Sequence, residues 1–166
     1  PSSYWGQVSI LQGPNFDAPQ PLVTGLPQPN TGHAVNGLQF DHNGDLLIAL
    51  GSTSNAGIPW LTMGDLPESP LSAAIAKAQT SRSDFDGAIE YVHAVTGAPV
   101  TDQRLGEQSL LAPGSHVFVQ GAGLRNPYDL VYTTRKKLYA SDNGPNGGYG
   151  PASTSATTQT GTHPDE

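Results

Sequence analysis

The sequence predicts an all-β chain built from short antiparallel hairpins, and two observations carry that expectation. Charged residues make up only 13% of its 166 residues while Gly (20) and Pro (15) are abundant, a composition of many short strands and turns rather than long helices. The second observation is an internal repeat. "HAVNGLQFDHNGDLLIALG" (33–51) lies over "RNPYDLVYTTRKKLYASDN" (125–143) without a gap, and each copy reads as strand, tight turn, strand. His33 falls on Arg125, Leu38 on Leu130, Phe40 on Tyr132, Leu46 on Leu138, Ile48 on Ala140 and Leu50 on Asp142.

Taken in chain order, "QVSIL" (7–11) and "PLVTGL" (21–26) are the first strand candidates. In the first copy of the repeat, Asn43-Gly44 predicts a two-residue type I′ turn, which needs positive φ at both positions. Leu46 to Leu50 is apolar throughout, the pattern of a strand covered on both faces and therefore interior to a sheet. Within residues 52–84, "SPLSAAIAKAQT" predicts a short helix with Ser69 as N-cap and Pro70 at the first helical position. The rest of that stretch reads as loop. "AIEYVHA" (88–94), with a Thr96-Gly97 turn, and "HVFVQG" (116–121) are two further strands, and "VTGLP" (23–27) matches "VQGAG" (119–123) in place and character. The turn of the second copy, Thr133 to Lys137, carries no glycine.

The order is thus outer pair, inner pair, outer pair, inner pair, and a four-stranded unit repeated in series is the pattern of a β-propeller blade. Residues 1–28 are expected to supply the outer strands of one blade. Residues 33–121 form one full blade interrupted by a loop and short-helix insertion (52–84), residues 122–146 the inner strands of the next, and residues 147–166 a loop. About two blades cannot close a ring, so the expectation is a fragment whose first partner is the remainder of the same propeller. The chain opens at Pro1 without a signal-peptide pattern, which predicts processing or residues upstream.

Composition also excludes functions. A net charge of −7 with seven basic residues, and Arg135-Lys136-Lys137 as the only basic run, leave nothing to neutralise several phosphates, so nucleic acid is not a partner. The absence of cysteine removes disulfides and thiolate metal sites. No apolar stretch nears the ~18 residues of a transmembrane helix. His42, His93, His116 and His163 lack metal spacing, "SDFDG" (83–87) fails the EF-hand spacing, and Gly121-Ala122-Gly123 runs into Arg-Asn-Pro rather than a third glycine and a helix. The Ser/Thr-rich tail has the composition of an O-glycosylated stretch or of plain loop.

Two segments carry a resemblance to a known family. "GHAVNGLQFDHNGDLLIALGSTSN" and "GLRNPYDLVYTTRKKLYASDNGPN" resemble, in this order, the Gly-His…Gly-Ser-x-Ser-Asn and Gly-Leu-Arg-Asn-Pro…Asp-Asn-Gly-Pro segments of the sorbosone/pyranose dehydrogenase branch of the soluble quinoprotein sugar dehydrogenases. The resemblance covers roughly residues 22–166. It implies a secreted six-bladed β-propeller that binds pyrroloquinoline quinone (PQQ) over its central axis through calcium and oxidises an aldose at its anomeric carbon.

From the repeat alone, His33 and Arg125 occupy equivalent positions at the entry of the inner strands of neighbouring blades and are expected to face the axial funnel. By resemblance, His33 matches the general base, and Arg125 with Asn126 matches residues that touch the quinone. Asp142 and Asn143, which open the Asp-Asn-Gly-Pro segment, are expected to bind the cofactor as well, the alternative being that Asp142 simply pairs with Arg125, and Gly144 and Pro145 match positions whose main-chain carbonyls coordinate calcium. A neutral imidazole can take the substrate's hydroxyl proton at pH 7, a guanidinium beside a reduced quinone stabilises its charge, and calcium accepts carbonyl ligands readily. Asn36 stands where many dehydrogenases of this branch carry an arginine. That departure points to a second class of function: a non-catalytic extracellular propeller that recognises a glycan or serves as a binding or matrix module.

Overall fold

The computed structural model describes residues 5–55 and 57–144; Pro145 and the tail 147–166 lie outside the described residues. Among the described residues eleven strands run in order: β1 (Gly6–Gln12), β2 (Ala18–Leu26), β3 (Val35–Phe40), β4 (Leu46–Leu50), β5 (Ala74–Ala78), β6 (Tyr91–His93), β7 (Pro99–Val100), β8 (Ser109–Leu111), β9 (Val117–Ala122), β10 (Asn126–Tyr132) and β11 (Leu138–Asn143). The helical content of the described residues is two short 3₁₀ segments, Leu61–Met63 and Gln103–Gln108. The fold is all-β, in four antiparallel sheets of which none closes on itself. They are the pair β1-β2, the four-stranded β3-β4-β5-β9, the small sheet β7-β6-β8 and the pair β10-β11.

The repeat read from the sequence is a structural repeat. Val35 pairs with Leu50, Leu38 with Ile48, Gln39 with Leu47 and Phe40 with Leu46. The second hairpin pairs Pro127 with Asp142, Leu130 with Ala140, Val131 with Tyr139 and Tyr132 with Leu138, the equivalent positions throughout. A register irregularity falls at the start of both hairpins.

The turns also match, although not as the type I′ turn expected at Asn43-Gly44. Gly44 has φ of 87° and Lys136 has φ of 59°, while Asn43 is not among the residues with positive φ. In each turn the first residue's amide donates to the carbonyl of the fifth, Asp41 to Asp45 (2.9 Å) and Thr133 to Lys137 (2.9 Å). The amide of the fourth residue returns to the carbonyl of the first, at 3.1 Å from Gly44 and 2.9 Å from Lys136. This is a three-residue loop ending in a left-handed residue. An oxygen on the first side chain, Asp41 Oδ1 or Thr133 Oγ1, accepts the amide of the fifth residue at 3.1 Å in both turns.

β4 is buried at every position because it lies between β3 and β5 and has a core on each face. Leu46, Ile48 and Leu50 point into a cluster shared with Val8, Val23, Leu26, Ala76, Ala78 and Val117. Leu47 and Ala49 point the other way, against Ile75 and Leu130. The period of two along the strand thus divides its apolar residues between two layers, and full burial of a side chain such as Ile48 contributes roughly 1.5–3 kcal/mol. The second layer ties β10 to the four-stranded sheet. The two backbones come so close that a Cβ on Gly37 would lie 2.8 Å from the Asp129 Cα. On its other side the β10-β11 pair leaves Val131 and Tyr139 exposed.

Two expectations are corrected here. The short helix capped by Ser69 is absent: residues 69–73 form a turn and the chain continues as β5. Ala73 has φ of 53°, which stops a right-handed helix before it starts, and the alanines that favour a helix are instead buried between β4 and β9. The third strand of the four-stranded sheet is therefore β5, inside the stretch read as an insertion. The 88–94 segment is not part of that sheet, since β6 pairs with β7 and β8. Residues 79–116, between β5 and β9, form the longer excursion.

Candidate functional site

His33 precedes β3 and Arg125 precedes β10, each at the end of its hairpin away from the turn. Both side chains are nearly buried, at 6% exposure each, and they make the same kind of bond. His33 Nδ1 lies 2.9 Å from the carbonyl oxygen of Ser52, and Arg125 Nη1 donates to the carbonyl of Gly144 at 2.8 Å. In each case the acceptor is nineteen residues downstream, just past the second strand of the hairpin. The copies are also joined directly, as the Ser52 amide donates to the Arg125 carbonyl at 2.7 Å.

The carbonyl of Ser52 can only accept, so Nδ1 of His33 carries the proton and Nε2 holds a lone pair. The Ser52 hydroxyl, 2.8 Å from Nδ1, donates its own proton to the Ser54 carbonyl and agrees with this tautomer. Burial lowers the His33 pKa below its ordinary value, with the Arg125 charge acting in the same direction. The Ser52 carbonyl and the carboxylates of Glu68 and Asp142 oppose it. The imidazole is therefore neutral at pH 7 and able to accept a proton or coordinate a ligand at Nε2.

Gly51 explains how His33 and Asn126 share so small a space. A Cβ there would lie 2.6 Å from His33 Cβ and 2.8 Å from Asn126 Oδ1, so the two side chains close over a bare backbone. Asn126 is buried, and Asn36 orients it. The Asn36 amide donates to Asn126 Oδ1 at 2.9 Å and to the Pro127 carbonyl at 2.8 Å. Its role is to bridge the two copies.

Around Arg125 the guanidinium Nε donates to Asn55 Oδ1 at 2.9 Å. The Asp142 carboxylate binds main chain instead: Oδ1 accepts the amides of Arg125 (3.1 Å) and Asn126 (2.8 Å), and Oδ2 lies 3.1 Å from the Arg125 amide. It therefore fixes where β10 begins. Asn143 presents its carbonyl 3.5 Å from Nη1, and its side chain is exposed. Pro145 lies outside the described residues.

The structure thus gathers His33, Arg125, Asn126 and Asp142 at one end of adjoining sheets, with the Gly144 carbonyl among them. It adds Asn36, Ser52, Asn55 and Glu68. "GSTSN" (51–55) already marked two of these in the sequence, but Glu68 gave no signal because it stood between a loop and an expected helix. Among the described residues no group of three or more His, Asp or Glu side chains is placed to hold a metal ion, and no helix is long and apolar enough to cross a membrane. No protein-family model, no curated protein and no solved structure matches this chain.

Proposed function

We propose that this chain is part of a secreted six-bladed β-propeller quinoprotein that oxidises an aldose sugar at its anomeric carbon with PQQ and calcium. The observation that carries the reading is the equivalence of His33 and Arg125. In neighbouring hairpins of identical register, each reaches the carbonyl nineteen residues on, so a base and a cation meet at the same end of adjoining sheets. Sheets sharing cores on both faces of β4 support a blade-like arrangement, and the exposed Val131 and Tyr139 are then covered by the following strands of the propeller.

The donor set fits the group on two grounds. PQQ is a polyanion, and the Arg125 guanidinium is a buried cation held by the Asn55 side-chain oxygen and the Gly144 carbonyl. The Gly144 carbonyl is a hard oxygen of the kind calcium takes; it has a second lone pair beside the one Arg125 uses. When bound, the quinone would accept the hydride and calcium would steady the charge that develops. Arg125, Asn126 and Asn143 would hold the cofactor, with Gly144 and Pro145 toward the metal. Asp142 would keep Arg125 and Asn126 in register, and His33 would take the sugar's hydroxyl proton at Nε2.

Calorimetric titration of PQQ into the full-length, calcium-loaded protein tests this reading, with turnover of aldoses followed through an artificial electron acceptor. Arg125→Ala is expected to weaken binding, and His33→Ala to keep binding but abolish turnover. No PQQ binding by the intact protein would overturn it. Asn36 favours the second reading, a non-catalytic propeller that recognises glycan or matrix, because it is tied to Asn126 and Pro127 and brings no charge to the site.

A further inference from the structure

We propose that Glu68 is a positioning residue for His33: its carboxylate holds the 52–54 segment in the shape that locks the imidazole into the Nδ1–H tautomer and leaves Nε2 as the basic atom. This deepens the proposed function and rests on it for the use made of Nε2, although not for the tautomer itself.

The link is continuous. Glu68 Oε1 accepts the Ser54 amide at 3.2 Å together with the Ser54 hydroxyl. Oε2 accepts the Thr53 amide at 3.2 Å together with the Ser72 hydroxyl. Ser52, Thr53 and Ser54 are at most 1% exposed, so water does not replace these acceptors. The Ser54 carbonyl receives the Ser52 hydroxyl, and the Ser52 hydroxyl and carbonyl face His33 Nδ1 at 2.8 and 2.9 Å. One acid thus fixes two consecutive amides and, two steps on, the orientation of a ring with no carboxylate bonded to it.

A carboxylate is required, not merely a polar group of that size. Oε1 faces one backbone N–H and one hydroxyl, and Oε2 faces one backbone N–H and the hydroxyls of Thr53 and Ser72. A glutamine must turn its NH₂ toward one of the two amides, donor against donor, whichever way it flips. Glu68→Gln therefore conserves volume and removes the anchor.

The test is long-range ¹H–¹⁵N NMR of the imidazole in the full-length protein at about pH 8, where an unperturbed histidine is neutral. His33 would be assigned by loss of its signals in His33→Gln. In the wild type, His33 is expected to show one protonated nitrogen, Nδ1, and one bare nitrogen, Nε2. In Glu68→Gln the two shifts are expected to converge as the tautomers interchange, and Glu68→Asp should restore part of the separation. Ser72→Ala, which removes a hydroxyl but leaves both amides bonded, should keep the wild-type pattern. A wild type dominated by Nε2–H, or a folded Glu68→Gln with unchanged shifts, overturns the proposal. If Glu68→Gln does not fold by circular dichroism, Glu68→Asp decides in its place: its shorter arm cannot hold the Thr53 and Ser54 amides together, so partial convergence supports the relay and wild-type shifts refute it. No arm requires PQQ, calcium or turnover, so a protein that binds no cofactor yet shows the Glu68-dependent tautomer removes the quinoprotein reading and keeps this one.

Discussion

Replacing Lys77 by methionine should be among the most damaging single changes in the four-stranded sheet. Lys77 lies on β5 with its ammonium 2.8 Å from Asp41 and 2.9 Å from Asp45, the residues that bracket the first hairpin turn. The side chains are 16%, 6% and 9% exposed respectively, so removal of the cation strands two shielded carboxylates. Breaking a fully buried pair costs about 3–5 kcal/mol. Because Lys77 keeps some access to water and the turn is near the surface, we place the loss at about 2–3 kcal/mol. The pH dependence is a sharper diagnostic. Burial by itself raises the pKa of Asp41, but the hydrogen bonds from Lys77 and from the amides of Asp45 and Asn43 together bring it below its ordinary 3.8. Asp45 follows the same pattern, with Ser81 as an added donor. Depressed carboxyls give stability that is present above pH 3.8 and lost as acid carries the pH through the lower folded values. Hydrogen bonds to the two aspartates raise the Lys77 pKa above its ordinary 10.5, so that group's contribution is complete at neutral pH and lost only in strong alkali. Lys77→Met should therefore shrink the gain in stability between about pH 3 and pH 7. Urea denaturation at both pH values measures it, and a Lys77→Met/Asp41→Asn/Asp45→Asn variant should recover much of the loss. A Lys77→Met protein within about 0.5 kcal/mol of wild type at pH 7, or one with an undiminished acid-side gain, would refute the reasoning.

Two further predictions concern backbone geometry. Gly51→Ala places a methyl group 2.6 Å from His33 Cβ and 2.8 Å from Asn126 Oδ1, so it should cost about 1–3 kcal/mol through overpacking and displace both side chains; denaturation together with the His33 NMR signals would record the two effects. The hairpin turns should respond in opposite directions, since Gly44 at φ 87° and Lys136 at φ 59° hold the same left-handed position. Gly44→Ala should destabilise by about 1 kcal/mol and Lys136→Gly should stabilise by up to about 1 kcal/mol, a pair that thermal unfolding resolves.

The hairpin repeat was legible in the sequence because its signals are local. Alternating apolar residues, a short polar turn and an uninterrupted Leu-Leu-Ile-Ala-Leu run act between neighbours in the chain, so pairing the copies also predicted their common register. The equivalence of His33 and Arg125 follows from the same alignment. The type of the turn was less legible, because Asn-Gly suits a type I′ loop in isolation, whereas here the Asp41 side chain accepts the amides of both Asn43 and Asp45 and draws the loop into its three-residue form.

By itself, then, the sequence determined the all-β character, the paired hairpins, the interior position of β4 and the placing of a histidine and an arginine at like points. Only the tertiary structure decided that Ala74–Ala78 is a strand, since its alanines suit a helix in isolation and are claimed by the free edges of β4 and β9. Only that decision sets Lys77 against Asp41 and Asp45. The same holds for the Glu68 anchor, whose five donors come from Thr53, Ser54 and Ser72 and converge only once the loop after β4 and the turn before β5 are brought together. Such contacts depend on where distant segments meet, and no local pattern of residue types encodes that.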